Sequence, residues 1–487
     1  MSAVCRHLQG YEMINGANLK KTYYYLKKNG IVNTFYAVCE RIHDRSAVSY
    51  CFTPISEKER EDQKHHQFDE KLTFSILVPM YETPKAFAQE MIQSVLSQTY
   101  GNFELILADA SKSDSVKQVA CSFFDDRIRY IRLEENRGIS ENTNQALQYA
   151  TGDYIGLLDH DDLLTEDALY EMAKQIESGK QQGVQYAFLY SDEDKCDTEA
   201  RRFYDPNFKL NFNYDLLLSN NYICHFLVMK TELMQQLMFR PEYDGAQDYD
   251  LVLRAVHAVM HAGENMHAGE TVIGHISRVL YHWRCHEAST ASNPQSKQYA
   301  YEAGRRAIQD FLQSEGIRVQ VTDTKHNGFY RIEYCNADNN LDVDKKNHAK
   351  LQEQKEWGNL FTARPDVGIL AGPVYDGNKI TGGIYDKQGN CPYKGLNRHY
   401  SGYLHRAALQ QNADIIDVRN MMINPLLAKQ IEDILQKIYD NKTLNYDLMK
   451  INREISEQVR SLGYRILWDP LFQSNSIQRN KPEQGGQ

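Results

Sequence analysis

From residue 72 onward the chain alternates short apolar runs with stretches whose apolar positions recur every three or four residues. Phe74-Ser75-Ile76-Leu77-Val78-Pro79 reads as a buried strand stopped by proline, and Phe87, Met91, Val95 and Leu96 then form a helical stripe. Leu105-Ile106-Leu107-Ala108-Asp109 and Arg129-Tyr130-Ile131-Arg132-Leu133 are the next strands. Ser140 to Ala150 reads as a helix and Tyr154 to Leu158 as a fourth strand. This order predicts an α/β fold with a mostly parallel sheet, helices on both faces, and ligands bound beyond the carboxyl ends of the strands.

The fourth strand runs straight into Asp159-His160-Asp161-Asp162, and Thr165 with Glu166 and Asp167 behind it reads as the N-cap and acidic first turn of a helix. Asp159 and Asp161 are two apart, so an extended backbone points both carboxylates the same way, where they repel unless a cation lies between them. A hard divalent ion, Mg²⁺ or Mn²⁺, is the simplest resolution, with substrate phosphates completing its shell.

Composition narrows the picture further. The 487 residues suit two or three domains, and 42% apolar content with no apolar run near 18 residues argues against a spanning helix. No signal peptide is visible, and nine cysteines without CxxC spacing point to reduced thiols in a cytoplasmic protein. A net charge of −10 disfavours nucleic acid as a partner. Around the patterned region the sequence divides into a basic and aromatic N-terminal segment with its linker (1–71), the α/β domain (72–335), a charged connector (336–365), a C-terminal α/β lobe (366–472) and a polar tail (473–487). Residues 18–45 read as two short helices broken at Asn29-Gly30, basic and aromatic enough for peripheral attachment to the inner face of the cell membrane. Residues 53–71 read as a linker or a solvated helix.

Several ordered motifs carry a resemblance. Val78-Pro79-Met80-Tyr81-Glu82-Thr83-Pro84, Ser94 to Tyr100, Asn136-Arg137-Gly138-Ile139-Ser140 and Gly152-Asp153 lead to Leu158-Asp159-His160-Asp161-Asp162. Tyr190-Ser191-Asp192-Glu193-Asp194-Lys195, Gly245-Ala246-Gln247-Asp248-Tyr249-Asp250-Leu251 and Tyr281-His282-Trp283-Arg284 follow. Residues 72 to 330 thereby resemble the family 2 inverting glycosyltransferases of the GT-A fold, which build bacterial surface polysaccharides from nucleotide-sugars. The resemblance implies a UDP- or dTDP-sugar donor, a glycan or lipid-linked acceptor, and Mn²⁺ or Mg²⁺. It implies Pro79, Tyr81, Asp109 and Asn144 at the base and ribose, and Asp159, Arg284 and His286 at the diphosphate. Asp159, Asp161 and His286 would face the metal, with His282 in reserve, and Ser289 and Thr290 would add donors. Asp248 would be the base, placed where Gly245 turns the chain into a helix. The chain departs from the pattern at Asp109-Ala110, where many relatives have two aspartates, and at Thr143, where many have arginine.

Two other stretches bear on function. His257 and His261 are four apart on a predicted helix and could share a zinc, but no carboxylate lies between them, so they read as surface histidines. Leu444-Asn445-Tyr446-Asp447-Leu448 echoes the Asp248 segment with an amide in place of the base, so the C-terminal lobe reads as a truncated, non-catalytic GT-A half that helps position the acceptor. A reading of a different class is a catalytically silent GT-A-like subunit that binds a glycan or a partner enzyme. Retention of Asp159, Asp161, Asp248 and His286 favours the enzyme.

Overall fold

The computed structural model describes residues 16–45, 50–261, 270–286, 298–335, 357, 359–433, 435–436 and 447–474. The chain gathers into two compact units, one within Tyr50–Thr322 and Tyr330–Ala363, the other within Met1–Ser49, Asp323–Phe329 and Arg364–Gln487.

The larger unit is built on a nine-stranded sheet among the described residues. Its strands are β1 Phe74–Met80, β2 Phe103–Asp109, β3 Ile128–Arg132, β4 Tyr154–Leu157, β5 Leu163–Leu164, β6 Val184–Cys196, β7 Phe203–Asn207, β8 Leu227–Lys230 and β9 Glu270–Arg284. They lie in the order β3-β2-β1-β4-β8-β6-β9-β5, with β7 paired to β6. The first four are parallel, as are β6 and β9, while β8 runs antiparallel to both of its neighbours. This is the mixed α/β architecture that the pattern predicts. β1 is almost continuously buried because helices cover the sheet, the condition under which a parallel strand reads as an unbroken apolar run. Pro79 fits this central strand because β4 pairs only with Phe74–Leu77, so the missing N–H falls where that partner has ended. The helix Lys85–Leu96 buries Ala88, Met91, Ile92 and Val95 in the same core as Phe74, Ile76, Val78 and Met80. Each of these side chains except that of Ala88 stabilises by about 1.5–3 kcal/mol. Gly156 in β4 admits no side chain, since a Cβ there would lie 2.8 Å from Ile76 and Phe226.

One boundary differs from the sequence reading, and the solvated-helix reading of residues 53–71 is met. The helix after the acidic turn starts at Ala168, because the Thr165 hydroxyl donates to Asp167 (2.7 Å) instead of capping a helix. Residues 53–71 contain the helix Glu57–His65, closed by a Ser56–Glu59 capping box, and Arg60 clamps Glu166 through two bonds of 2.6 and 2.8 Å.

The smaller unit holds a four-stranded sheet in which Val367–Ala371 pairs parallel to Arg465–Trp468 and antiparallel to Met421–Ile423. The helix Gly16–Arg45 belongs to this unit, broken at Gly30 (φ 76°) as the Asn29-Gly30 pair predicts. The sequence had set residues 1–71 apart from 366–472. Packing joins the helix Gly16–Arg45 to that lobe through polar contacts that an apolar pattern does not register, while Tyr50 to Lys71 belong to the larger unit. The buried Glu40 carboxylate accepts from the Ser401 and Gly402 amides (2.7 and 2.6 Å), and Tyr36 stacks on His399 at 4.2 Å. Asn445 and the connector residues 336–356 lie outside the described residues, but Asp447 is described and caps the helix Leu448–Ser461 by accepting from Met449 N at 3.1 Å.

In the same unit His326 and His405 stack at 3.5 Å, and His326 Nε2 meets the Ser401 hydroxyl at 2.9 Å. Burial, with positive neighbours adding, pulls His326 down to about 2 and His405 to about 4. Both are neutral in the fold, whereas the unfolded chain protonates them near 6.5. Their contribution is therefore complete above about pH 6.5 and is lost as pH falls towards 4 and below, by up to about 3 kcal/mol for His405. Urea unfolding between pH 7 and 4 should show this loss, and His326→Gln with His405→Gln should flatten it.

Candidate active site

β4 ends at Leu157, and Asp159 to Asp162 form a turn closed by the Asp162 amide on the Asp159 carbonyl (3.2 Å). The three carboxylates of this turn have different surroundings. Asp162 is buried and accepts from the Tyr281 hydroxyl (2.6 Å) and the Arg284 amide (2.7 Å), so it fastens the turn to β9. Burial, with Asp161 and Asp159 nearby, pushes its carboxyl well up. Asp159 accepts no hydrogen bond on its carboxylate among the described residues. Burial raises its pKa, with Asp161 and Asp248 adding and His225 and His160 opposing. Asp161 is partly exposed and meets His286 Nε2 at 2.7 Å.

This last contact separates the two histidine candidates. His286, beside the Phe87 ring at 5.2 Å, reaches the acidic turn. His282 instead engages Asp194 at 2.5 Å, in register with it across β6 and β9. Arg284 departs from the sequence expectation. It is fully buried, donates to the carbonyls of Asp161 (2.6 Å) and Thr198 (2.5 Å), lies 2.6 Å from Glu90, and covers Phe87 at 4.6 Å. Its Nε and Nη1 brace the turn from within the protein, where the sequence had the side chain facing diphosphate, while Nη2 pairs with Glu90 without a hydrogen bond. Ser289 and Thr290 lie outside the described residues.

Asp248 arrives from a distant part of the chain. Gly245 (φ 96°) turns the backbone into the helix Gln247–His261, whose first turn carries Asp248 and Asp250. Asp250 is buried and pairs with Arg254 (2.7 Å) and Arg240 (3.0 Å), which anchors the helix start. Asp248 points the other way. One of its oxygens accepts from Asn221 Nδ2 (2.8 Å) and meets Cys224 Sγ at 3.2 Å, and its charge acts on Asp159. Burial, then Asp248 itself, pushes the Cys224 thiol well up.

The residues expected to hold the nucleoside are less uniformly placed. Met80 and Asp109 are in register at the ends of β1 and β2, with Pro79 partly buried and Tyr81 exposed just beyond. Asp109 is fully buried and accepts from the Ser111 amide (2.9 Å) and the Tyr130 hydroxyl (2.8 Å), so it orders the loop after β2. Asn144 is not open to a ligand. Its amide exchanges two 2.8 Å bonds with the Phe239 backbone and ties the helix Ile139–Leu147 to that segment. A residue in helical register cannot reveal such a tie from sequence, because its partner is 95 residues away.

The acidic turn fits a hard cation. Asp159 and Asp161 present oxygens that no arginine or lysine neutralises among the described residues; ligand atoms of Asp159, Asp162 and His225 lie within 4.8 Å of one another, whereas Asp161, expected to share the cation with Asp159, is outside that trio and faces His286 because the backbone turns here instead of running extended. Within that trio, Asp162 already serves Tyr281 and Arg284. His225 was missed in the sequence because it belongs to no motif; it stacks on Tyr281 at 4.5 Å. The run Asp192-Glu193-Asp194 had no assigned partners. Here Asp192 meets His275 (2.9 Å), Glu193 meets Lys209 (3.3 Å), and Asp194 meets His282 and the Tyr50 hydroxyl (2.7 Å). Lys209 sits in unpatterned sequence and carried no signal.

Residues 75–238 match the family model Glycosyl transferase family 2. The uncharacterised protein y4gI of Sinorhizobium fredii is 39% identical over 242 residues, 49% of this chain and 25% of that protein. The O-antigen biosynthesis protein RfbC of Myxococcus xanthus is 32% identical over 252 residues, 51% of this chain and 18% of that protein. The chain thus spans a quarter or less of the length of these two curated relatives. Among solved structures, S. aureus TarS 1–349 in complex with UDP-GlcNAc is similar over 60% of this chain and 74% of that one, at 18% identity and a TM-score of 0.39.

Proposed function

We propose, from the match of residues 75–238 to the model Glycosyl transferase family 2, that the chain moves a sugar from a UDP- or dTDP-sugar to a hydroxyl of a growing cell-surface polysaccharide or lipid-linked glycan, with inversion at the anomeric carbon. The observation that carries this reading is that Asp248, at the start of a helix, meets Cys224, the chain neighbour of His225, whose ring nitrogen lies within 4.8 Å of the Asp159 carboxylate at the strand end. One centre then serves both demands of the reaction, charge neutralisation on the leaving diphosphate and removal of a proton from the acceptor.

Asp159 and Asp161 would hold Mg²⁺ or Mn²⁺, and the ion would neutralise charge developing on the diphosphate. His286, fixed on Asp161, borders the same position. Arg284 and Asp162 keep the turn in place from behind. Asn221 holds one oxygen of Asp248 and leaves the other to take the acceptor proton. Pro79 and Tyr81 border the nucleoside position, with Asp109 shaping the adjoining loop.

Among the described residues, no helix is long and apolar enough to cross a membrane. The helix Gly16–Arg45 nevertheless exposes Ile31 (76%), Phe35 (63%), Val38 and Ile42, with Lys27, Lys28 and Arg41 also in solvent. That surface supports cytoplasmic residence with peripheral attachment to an anionic bilayer.

A thermal-shift screen of UDP, dTDP and GDP, each with its sugars and with or without Mn²⁺, tests the donor reading. The expected result is a metal-dependent rise in melting temperature with UDP or dTDP species, followed by slow release of sugar. No shift with any nucleotide would favour the silent binding subunit.

A further inference from the structure

We infer that His257, His261 and Glu315 form a second cation site, separate from the acidic turn and suited to a borderline-soft divalent ion such as Zn²⁺. His257 and His261 lie on one face of the helix Gln247–His261, and the missing carboxylate comes from Glu315, just past the end of the helix Gln298–Ser314. One ligand atom from each residue lies within 4.8 Å of the other two.

Three further observations make this more than a histidine–glutamate pair. His261 Nδ1 meets the His257 carbonyl at 3.0 Å, which fixes the tautomer and leaves the Nε2 lone pair facing Glu315 Oε2 at 3.9 Å. His257 Nδ1 is screened from solvent and lies 2.6 Å from Glu315 Oε1, so this ring nitrogen is aimed into the cluster although the ring itself is partly exposed. The two imidazoles lie 4.1 Å apart. One shared cation would give each ring nitrogen a ligand role beside the Glu315 carboxylate. Ligands of a tetrahedral zinc ion stand roughly 3.4 Å apart, so the 2.6 Å contact has to open and the 3.9 Å contact to close only modestly.

Two imidazoles and one carboxylate suit zinc or cobalt better than magnesium, which prefers an oxygen shell. The cluster also joins the last turn of one helix to the end of another, where carbonyl dipoles favour positive charge. His257 is about 14 Å along the helix from Asp248, so an ion there fastens the far end of the helix that presents the proposed base. The inference itself does not depend on the transfer reaction.

The test uses the full chain without an affinity tag, stripped with chelator and titrated with Zn²⁺ and then Co²⁺. Wild type should bind one zinc that magnesium does not displace, show the visible absorption of four-coordinate Co²⁺, and melt about 3–5 °C higher with zinc. The double variant His257→Gln, His261→Gln and the single variant Glu315→Gln should lose that equivalent. Asp161→Ala should keep it. Unchanged zinc stoichiometry in the double variant, loss of zinc in Asp161→Ala, or wild type without the four-coordinate Co²⁺ spectrum would each overturn the site.

Discussion

Replacing Asp248 with asparagine lowers sugar transfer by about 10²–10⁴-fold and leaves donor affinity close to that of the parent. The amide keeps the size of the carboxylate and can still meet Asn221, so the start of the helix is undisturbed; Asp250, the residue that anchors it, is untouched. What disappears is the oxygen that takes the acceptor proton. Asn221→Ala removes only the group that orients that oxygen and should cost less, about 10-fold, mainly in kcat. Single-turnover transfer and calorimetric donor binding check both variants. A large loss of donor affinity in Asp248→Asn would mark the residue as a donor contact or a structural group instead of the base.

Asp161→Ala abolishes transfer and makes nucleoside-diphosphate binding indifferent to Mn²⁺, while the protein remains folded. The second half of this expectation follows from which atoms hold the turn. Arg284 grips the Asp161 carbonyl, which alanine retains, and the Asp161 carboxylate is partly exposed. Asp162→Ala is the contrasting case. It strands the buried Tyr281 hydroxyl and Arg284 amide, so it should lower stability by about 1–3 kcal/mol whatever happens to metal binding. Nucleotide titrations with and without Mn²⁺ and urea unfolding of the two variants separate metal from structural roles. Transfer at the parent rate in Asp161→Ala would mean that the ion is held elsewhere.

The sequence by itself determined the local elements and their order. Apolar runs ended by Pro79, Asp109 and Asp159 locate the strands of the parallel half to within a residue or two, because burial on both faces demands continuous apolar side chains. It also marked the kink at Gly30 and the turn at Gly245, since a positive φ at such points favours glycine. Tertiary structure decided everything that depends on pairing across long separations. Asn144 and Arg284 stand in motifs that read as ligand-facing, yet their hydrogen bonds go to Phe239, Asp161 and Thr198, 86 to 123 residues away. His286 rather than His282 meets Asp161, because the β6–β9 register delivers His282 to Asp194. Residue identities fix which chemistry a side chain can perform, but a carboxylate two residues from another cannot announce which of them will be buried under a tyrosine and an arginine. That is settled only when β9, more than a hundred residues later, folds back over the turn and satisfies the carboxylate of Asp162 while leaving the carboxylate of Asp159 without a hydrogen bond among the described residues.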